Sequence, residues 1–124
     1  MTWCFADERT KATDALLERL KTETALVPSL WTLETANVLL VAERRGRLTV
    51  AQTSLFVSTL LALPIVVAEP DAGYMTQLVA TARPYKLSAY DAAYVALAVK
   101  TGLPLATLDK GVIGVCMQLG VALL

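Results

Sequence analysis

Three acidic residues could form a metal site in this chain, because each lies in a largely apolar stretch. Glu34 lies in SLWTLETANVLLVA, Asp91 in KLSAYDAAYVALAV and Asp109 in GLPLATLDKGVIGV. None of the three has a basic residue three or four positions away, where a helical ion pair would form. A buried or half-buried carboxylate is costly unless it is paired, hydrogen-bonded or bound to a cation. If the three acids meet in space, their oxygens would suit a hard divalent cation.

Each acid also has a structural interpretation. Asp91 could close a capping box with Ser88, and Asp109 could cap the helix that follows it, since aspartate is among the best residues for that position. Glu34 has the weaker structural alternative, because apolar residues surround it. Both interpretations stay open for Asp91 and Asp109.

Two neutral polar residues stand beside these acids. Asn37 follows Glu34 at helical spacing and could hydrogen-bond its carboxylate, either structurally or in support of a bound metal. Thr107 precedes Asp109 by two residues, so both would share one strand face. A threonine in a strand is more often a plain β-former than a ligand.

Composition excludes several kinds of catalysis. The chain has no histidine, so Ser-His-Asp, Cys-His and histidine acid–base chemistries are ruled out. Its two cysteines, Cys4 and Cys116, lie far apart, which excludes the common zinc patterns and fits a reducing cytosol. The formal net charge is zero and gives no general basic signal for nucleic acid. If the protein is an enzyme, this composition predicts that its catalytic groups are carboxylates and a metal ion.

The length of 124 residues predicts a single domain over residues 1–124 with a real hydrophobic core. Leu48 to Ala68 carries no charge and is long enough to cross a bilayer. The same stretch contains several polar residues and Pro64, and it divides into a helix and a strand. We therefore expect no membrane span.

The chain alternates helices with short apolar strands. Capping residues, glycines and prolines predict the boundaries. The predicted helices cover about 7–22, 30–45, 49–63, 70–83, 88–100 and 110–119, and the predicted strands cover 25–27, 65–67, 105–108 and 121–124. This alternation predicts an α/β fold with a short, mostly parallel, buried sheet.

Such a fold would bring the acids together. Ligands of parallel sheets bind at the carboxyl ends of the strands. Asp109 follows a predicted strand, and Asp91 and Glu34 lie near the starts of predicted helices. Because helix starts that follow strand ends point toward one sheet edge, we expect the three acids to converge.

Longer motifs resemble a known family. The segments VPSLWTLETANVLLVAERRGRLT and SAYDAAYVALAVKTGLPLATLDKGV closely resemble the PIN-domain ribonucleases of the VapC type, which are toxins of bacterial toxin–antitoxin pairs. The similarity extends over nearly the whole chain. It implies a three-layer α/β/α PIN-like fold and an endoribonuclease that cleaves RNA with Mg²⁺ or Mn²⁺.

The resemblance also implies residue roles and partners. Glu34, Asp91 and Asp109 would be catalytic residues and metal ligands, with Asn37 and Thr107 supporting them. The implied partners are a cognate antitoxin, an RNA substrate such as tRNA, and a second copy in a homodimer. The implied location is cytoplasmic.

One part of the family pattern is not matched. The family normally starts with a short strand that carries the first acid, whereas this sequence starts with MTWCF. We therefore expect the first strand to be missing or replaced by MTWCF, and one family aspartate to be absent. The expected consequence is weak or no nuclease activity for this chain.

Two other functions stay open. The protein could be a PIN-like binding module that pairs with an antitoxin or with itself without catalysis. An apolar stripe that includes Leu55, Leu60 and Leu61 favours such pairing. A small membrane-associated protein, held through Leu48 to Ala68, is the remaining alternative.

Overall fold

The computed structural model describes residues 18–107 and 109–124. The chain divides into two compact units, which are Met1–Ala68 and Glu69–Leu124. Within the described residues the elements follow one another as β1 (Ala25–Pro28), α1 (Leu30–Arg44), α2 (Val50–Ala62), β2 (Ile65–Ala68), α3 (Tyr74–Ala82), a 3-10 helix (Arg83–Tyr85), α4 (Ala89–Thr101) and α5 (Lys110–Leu119). This alternation confirms the predicted α/β class.

The first unit contains a parallel pair of strands. β1 pairs with β2 in a register that places Ala25 opposite Ile65 and Pro28 opposite Ala68. Helices α1 and α2 connect the two strands, as a parallel pair requires, because its strands cannot be joined by a tight turn. The strand start is fixed by a further bond, in which Ala25 N–H donates to Pro64 O at 2.9 Å.

The turn between α1 and α2 follows the signals in the sequence. Gly46 has a φ of 73°, which a glycine adopts without the strain that a side chain would introduce. Thr49 then caps α2, since its side chain accepts from Gln52 N–H and the Gln52 side chain accepts from Thr49 N–H. The turn lets Ala42 of α1 and Leu60 of α2 form a buried cluster, against which Val38, Leu48 and Leu63 pack.

The second unit is built around α4 and α5. Their buried residues form one cluster, with partly buried neighbours from the loops and the 3-10 helix; the buried members are Val95, Val112, Val115 and Cys116, and the neighbours are Tyr85, Leu87, Leu105 and Val121. Helix α4 begins after Ser88 and ends at Gly102, whose φ is 69°. These are the capping residues that the sequence predicts.

Three features differ from the sequence prediction. Helix α3 begins at Tyr74, because Asp71 instead forms a turn in which its Oδ1 accepts from Gly73 N–H at 3.0 Å. Within the described residues near the end of the chain, the two predicted strands are reduced to one parallel bridge between Leu105 and Leu123. The predicted stripe on α2 is only partly exposed, since Leu60 points into the core and is 7% exposed.

Part of the prediction lies outside the described residues. This applies to most of the helix predicted over 7–22, to the proposed replacement strand MTWCF and to Leu108 at the end of the strand predicted over 105–108. At the described end of that predicted helix, Arg19 Nε donates to Glu23 Oε2 at 2.7 Å, as their helical spacing predicts.

The uncharged stretch from Leu48 to Ala68 divides as the sequence predicts. It forms α2, which is 13 residues long, followed by the separate strand β2. In the described ranges, no helix combines the length and the apolar character that crossing a membrane would need.

The cap at Thr49 gives a test of how the turn stabilises the first unit. Thr49→Ala removes the hydroxyl that accepts from Gln52 N–H, so it should lower the free energy of unfolding by about 1 kcal/mol. Urea unfolding followed by circular dichroism measures this loss. Ser54→Ala changes an exposed residue of the same helix and leaves the cap intact, so it should change stability by less than about 0.5 kcal/mol. Equal losses for both variants would contradict the role of the cap.

Cys116 gives a test of pH dependence. Its side chain is fully buried, and this burial raises the pKa of the thiol above its ordinary value of 9.0. The folded protein therefore holds the proton more tightly than the unfolded chain does. The resulting stabilisation is complete below pH 9.0 and is lost as the pH rises through the raised pKa of the folded state.

We expect this loss to be measurable in a Cys4→Ser background. The free energy of unfolding should fall more steeply above pH 9.0 with Cys116 present than in the matched Cys116→Ala variant. The thiol should also react slowly with a disulfide reagent under native conditions. Parallel pH profiles together with fast native labelling would contradict the inferred burial.

Candidate functional site

Asp91 lies in the first turn of α4, with a carboxylate that the helix cap does not use. Its backbone N–H donates to Ser88 Oγ at 3.1 Å, which confirms Ser88 as the N-cap. The reciprocal bond of a capping box is present between Thr49 and Gln52 but not between Ser88 and Asp91, all four of which the structure describes. The cap thus fixes the Asp91 backbone, while its half-buried carboxylate accepts no hydrogen bond from the described residues.

Asp109 does cap a helix. It precedes α5 in an extended conformation, and its Oδ1 accepts from Val112 N–H at 3.0 Å. The structural interpretation of this residue is therefore correct. The bond occupies Oδ1 alone, and Oδ2 accepts no hydrogen bond from the part of the chain that the structure describes. One oxygen of the carboxylate is available to a ligand.

Thr107 supports Asp109 through the main chain. Its Oγ1 accepts from Asp109 N–H at 3.1 Å. The hydroxyl thus holds the backbone from which the carboxylate extends. This local turn is the kind that threonine forms when a strand ends.

Glu34 belongs to the other unit and lies in the second turn of α1, slightly later than the first turn that the sequence indicates. Its side chain is half-buried and interacts with another group in the structure. Asn37 lies one turn further along and is exposed. The hydrogen bond expected between these two residues stays a prediction.

The electrostatic setting favours carboxylates at two of the three positions. Asp91 and Asp109 lie at the N-termini of α4 and α5, where unpaired N–H groups and the helix dipole stabilise a negative charge. These two helices share one buried cluster in the second unit. Carboxylate oxygens placed in this way fit the donor set that Mg²⁺ and Mn²⁺ accept.

The convergence of all three acids stays a prediction. Among residues 18–107 and 109–124, no group of three or more His, Cys, Asp or Glu side chains is placed to hold a metal ion. Asp91 and Asp109 belong to Glu69–Leu124, and Glu34 belongs to Met1–Ala68.

Sequence reasoning misses one residue next to this site. A Cβ atom on Gly111 would lie 3.2 Å from Asp109 Oδ1. The signal that could have identified Gly111 is a glycine two residues after an acid, in the first turn of a helix, where the backbone conformation does not require glycine.

Comparisons with known proteins extend these observations. The family model of the PIN domain matches residues 2–116. The crystal structure of PAE2754 from Pyrobaculum aerophilum is similar to this chain, with a TM-score of 0.65 and 25% sequence identity, over 82% of this chain and 73% of that chain. Comparison with curated proteins found no match.

The family match agrees with the fold. PIN domains are α/β proteins, and the helices and short parallel sheet described above are consistent with the three-layer α/β/α arrangement that the resemblance implies. They are generally divalent-metal-dependent nucleases, are often related to toxin–antitoxin systems, and commonly bind RNA. Because the matched segment covers most of the sequence, this chain belongs to the PIN domain family.

Proposed function

We propose that this protein is the toxin of a toxin–antitoxin pair, of the VapC type, and a metal-dependent endoribonuclease that hydrolyses RNA phosphodiester bonds, with the weak or absent activity expected above for this chain. Residues 1–124 would act as one domain. The observation that carries the proposal is the match to the PIN domain over residues 2–116. The carboxylates of Glu34, Asp91 and Asp109 would bind Mg²⁺ or Mn²⁺.

The donor set supports this assignment. Mg²⁺ prefers oxygen ligands and usually takes only one or two carboxylates from the protein while keeping several waters. Asp91 and Asp109 already supply two carboxylates at helix N-termini of one unit. Neither of the two takes part in a described ion pair that a cation would have to break.

Asp91 and Asp109 would each act through an oxygen that the local structure leaves available. Ser88 fixes the backbone of Asp91, and Thr107 with Val112 fixes the backbone and one oxygen of Asp109. This fixation limits the directions in which the remaining oxygens can point, and a misplacement of about 1 Å can lower a rate on the order of a hundredfold.

The chemistry depends on these acids and on what they bind. A divalent cation, when bound, supplies a more acidic water and a positive charge beside the phosphate. Because the chain contains no histidine, a carboxylate of the trio is the expected proton acceptor for the attacking water. The same side chains would orient that water in line with the phosphodiester bond.

The proposed partners follow from the same assignment. A cognate antitoxin would bind and inhibit the enzyme in the cytoplasm, and tRNA is the first substrate to test. We also propose a homodimer formed through α2, because this helix has no charged residue that would repel its own copy. Leu55 and Leu61 of this helix are 68% and 82% exposed. Large exposed apolar side chains on one helix are typical of an interface.

Metal binding tests the proposed site directly. The wild-type protein should bind Mn²⁺, and Asp91→Asn should weaken that binding by about tenfold or more because one anionic ligand is lost. Asp71→Asn is the matched control, since Asp71 is an exposed acid of the same unit that pairs with Lys100 at 3.3 Å. Calorimetric titration measures the affinities, and cleavage of labelled tRNA gives a second readout.

The control should bind Mn²⁺ within about twofold of the wild type, because a distant exposed charge is screened by solvent. A wild-type protein that binds no Mn²⁺ would refute the enzyme and favour the binding module that pairs without catalysis. Cleavage that survives in Asp91→Asn would remove this residue from the proposed mechanism.

The proposed dimer has its own test. Leu61→Glu places a charge in the uncharged surface of α2 and should convert the dimer to a monomer in sedimentation velocity. Met75→Glu is the control, because Met75 is 77% exposed but lies on α3. If both variants sediment like the wild type, α2 is not the dimer interface.

A further inference from the structure

Gly111 lies in the first turn of α5, two residues after Asp109. An ideal Cβ on Gly111 would meet Asp109 Oδ1 at 3.2 Å. Gly114 lies on the same helix, and in the described part of the chain nothing comes within 4 Å of a Cβ placed there. The two glycines therefore differ in their proximity to the Asp109 carboxylate.

The backbone does not explain the glycine at position 111. Its φ is not in the left-handed region, unlike those of Gly46, Gly102 and Gly120. Inside a helix, glycine is less favourable than alanine because it loses more conformational freedom on folding. The observed neighbour that a larger residue would disturb is the Asp109 carboxylate.

Two hydrogen bonds already hold Asp109, one at its carboxylate and one at its backbone. Oδ1 accepts from Val112 N–H at 3.0 Å, and Asp109 N–H donates to Thr107 Oγ1 at 3.1 Å. A methyl group at position 111 would press on Oδ1, so the carboxylate would have to shift by a few tenths of an ångström or rotate. Either movement changes the direction of Oδ2, because the two oxygens are rigidly joined.

We propose that Gly111 is a positioning residue for Asp109: it leaves room for Oδ1 to keep the helix-cap bond while Oδ2 is presented to a divalent cation. This inference rests on the proposed function, in which Asp109 is a metal ligand. Gly111 itself contacts neither the cation nor RNA.

The pair Gly111→Ala and Gly114→Ala separates this role from helix stability. Gly114→Ala should raise Tm and leave the affinity for Mn²⁺ unchanged within about twofold, since alanine favours the helix. Gly111→Ala should raise Tm less, or lower it, and should weaken Mn²⁺ binding by about tenfold, as loss of groups that orient ligands typically does. Titration with Mn²⁺ well below Tm separates the effect on binding from the effect on stability.

A double-mutant cycle tests the contact without any metal. Asp109→Ala removes Oδ1, so in that background Gly111→Ala should raise Tm as much as Gly114→Ala does. The chemical shift of the Val112 amide should change in Gly111→Ala and stay constant in Gly114→Ala. Equal effects of the two glycine substitutions in the original background would overturn the inference.

The outcomes also distinguish this inference from the proposed function. Wild-type Mn²⁺ binding with no coupling between positions 109 and 111 overturns the role of Gly111 and leaves the nuclease proposal standing. Coupling without any Mn²⁺ binding overturns the nuclease proposal, and with it the presentation of Oδ2 to a cation. Coupling together with a selective loss of Mn²⁺ affinity in Gly111→Ala supports both.

Discussion

The second unit of this protein depends on side-chain oxygens that accept hydrogen bonds at the N-termini of its helices. The first N–H groups of a helix have no partner within the helix, and a side-chain oxygen can accept from them. Ser88 supplies this oxygen for α4, and Asp109 supplies it for α5. Through these caps, the same residues that begin the helices determine where the Asp91 and Asp109 carboxylates are placed.

Capping and metal binding are compatible at Asp109 because a carboxylate has two oxygens. Oδ1 serves the helix through Val112 N–H, and Oδ2 stays available. At Asp91 the cap uses another residue, since the Ser88 hydroxyl accepts the hydrogen bond and the Asp91 carboxylate takes no part in it. The structural interpretation of these acids therefore does not exclude the proposed functional one, although the sequence alone presents the two as alternatives.

The sequence predicts well those parts of the fold that depend on neighbouring residues. The capping box of Thr49 and Gln52, the left-handed Gly46 and Gly102, and the bounds of α5 each require only a few adjacent positions. The end of the chain is different, because pairing between Leu105 and Leu123 depends on two distant segments meeting in register. Apolar, β-branched residues there favour a strand but do not determine how long its ladder is.

The site shows the same division between local and distant information. The positions of Asp91 and Asp109 at helix starts can be read from the chain, because each follows from its own cap. The approach of Asp109 Oδ1 to the position that a Cβ on Gly111 would take is also local, yet residue patterns do not reveal it, since it depends on the rotamer that the cap selects. Whether Glu34 joins the other two acids depends on the placement of separate elements, which no local signal specifies.

The glycine in the first turn of α5 affects the Asp109 carboxylate as well as the stability of the helix. Alanine at position 111 would favour the helix, and its methyl group would lie against the carboxylate that begins it. Stability of α5 and the orientation of Asp109 are thus opposing demands at one position. In the proposed site, the glycine favours the orientation of the Asp109 carboxylate over the stability of the helix, so that Oδ1 serves the helix cap and Oδ2 would serve the cation.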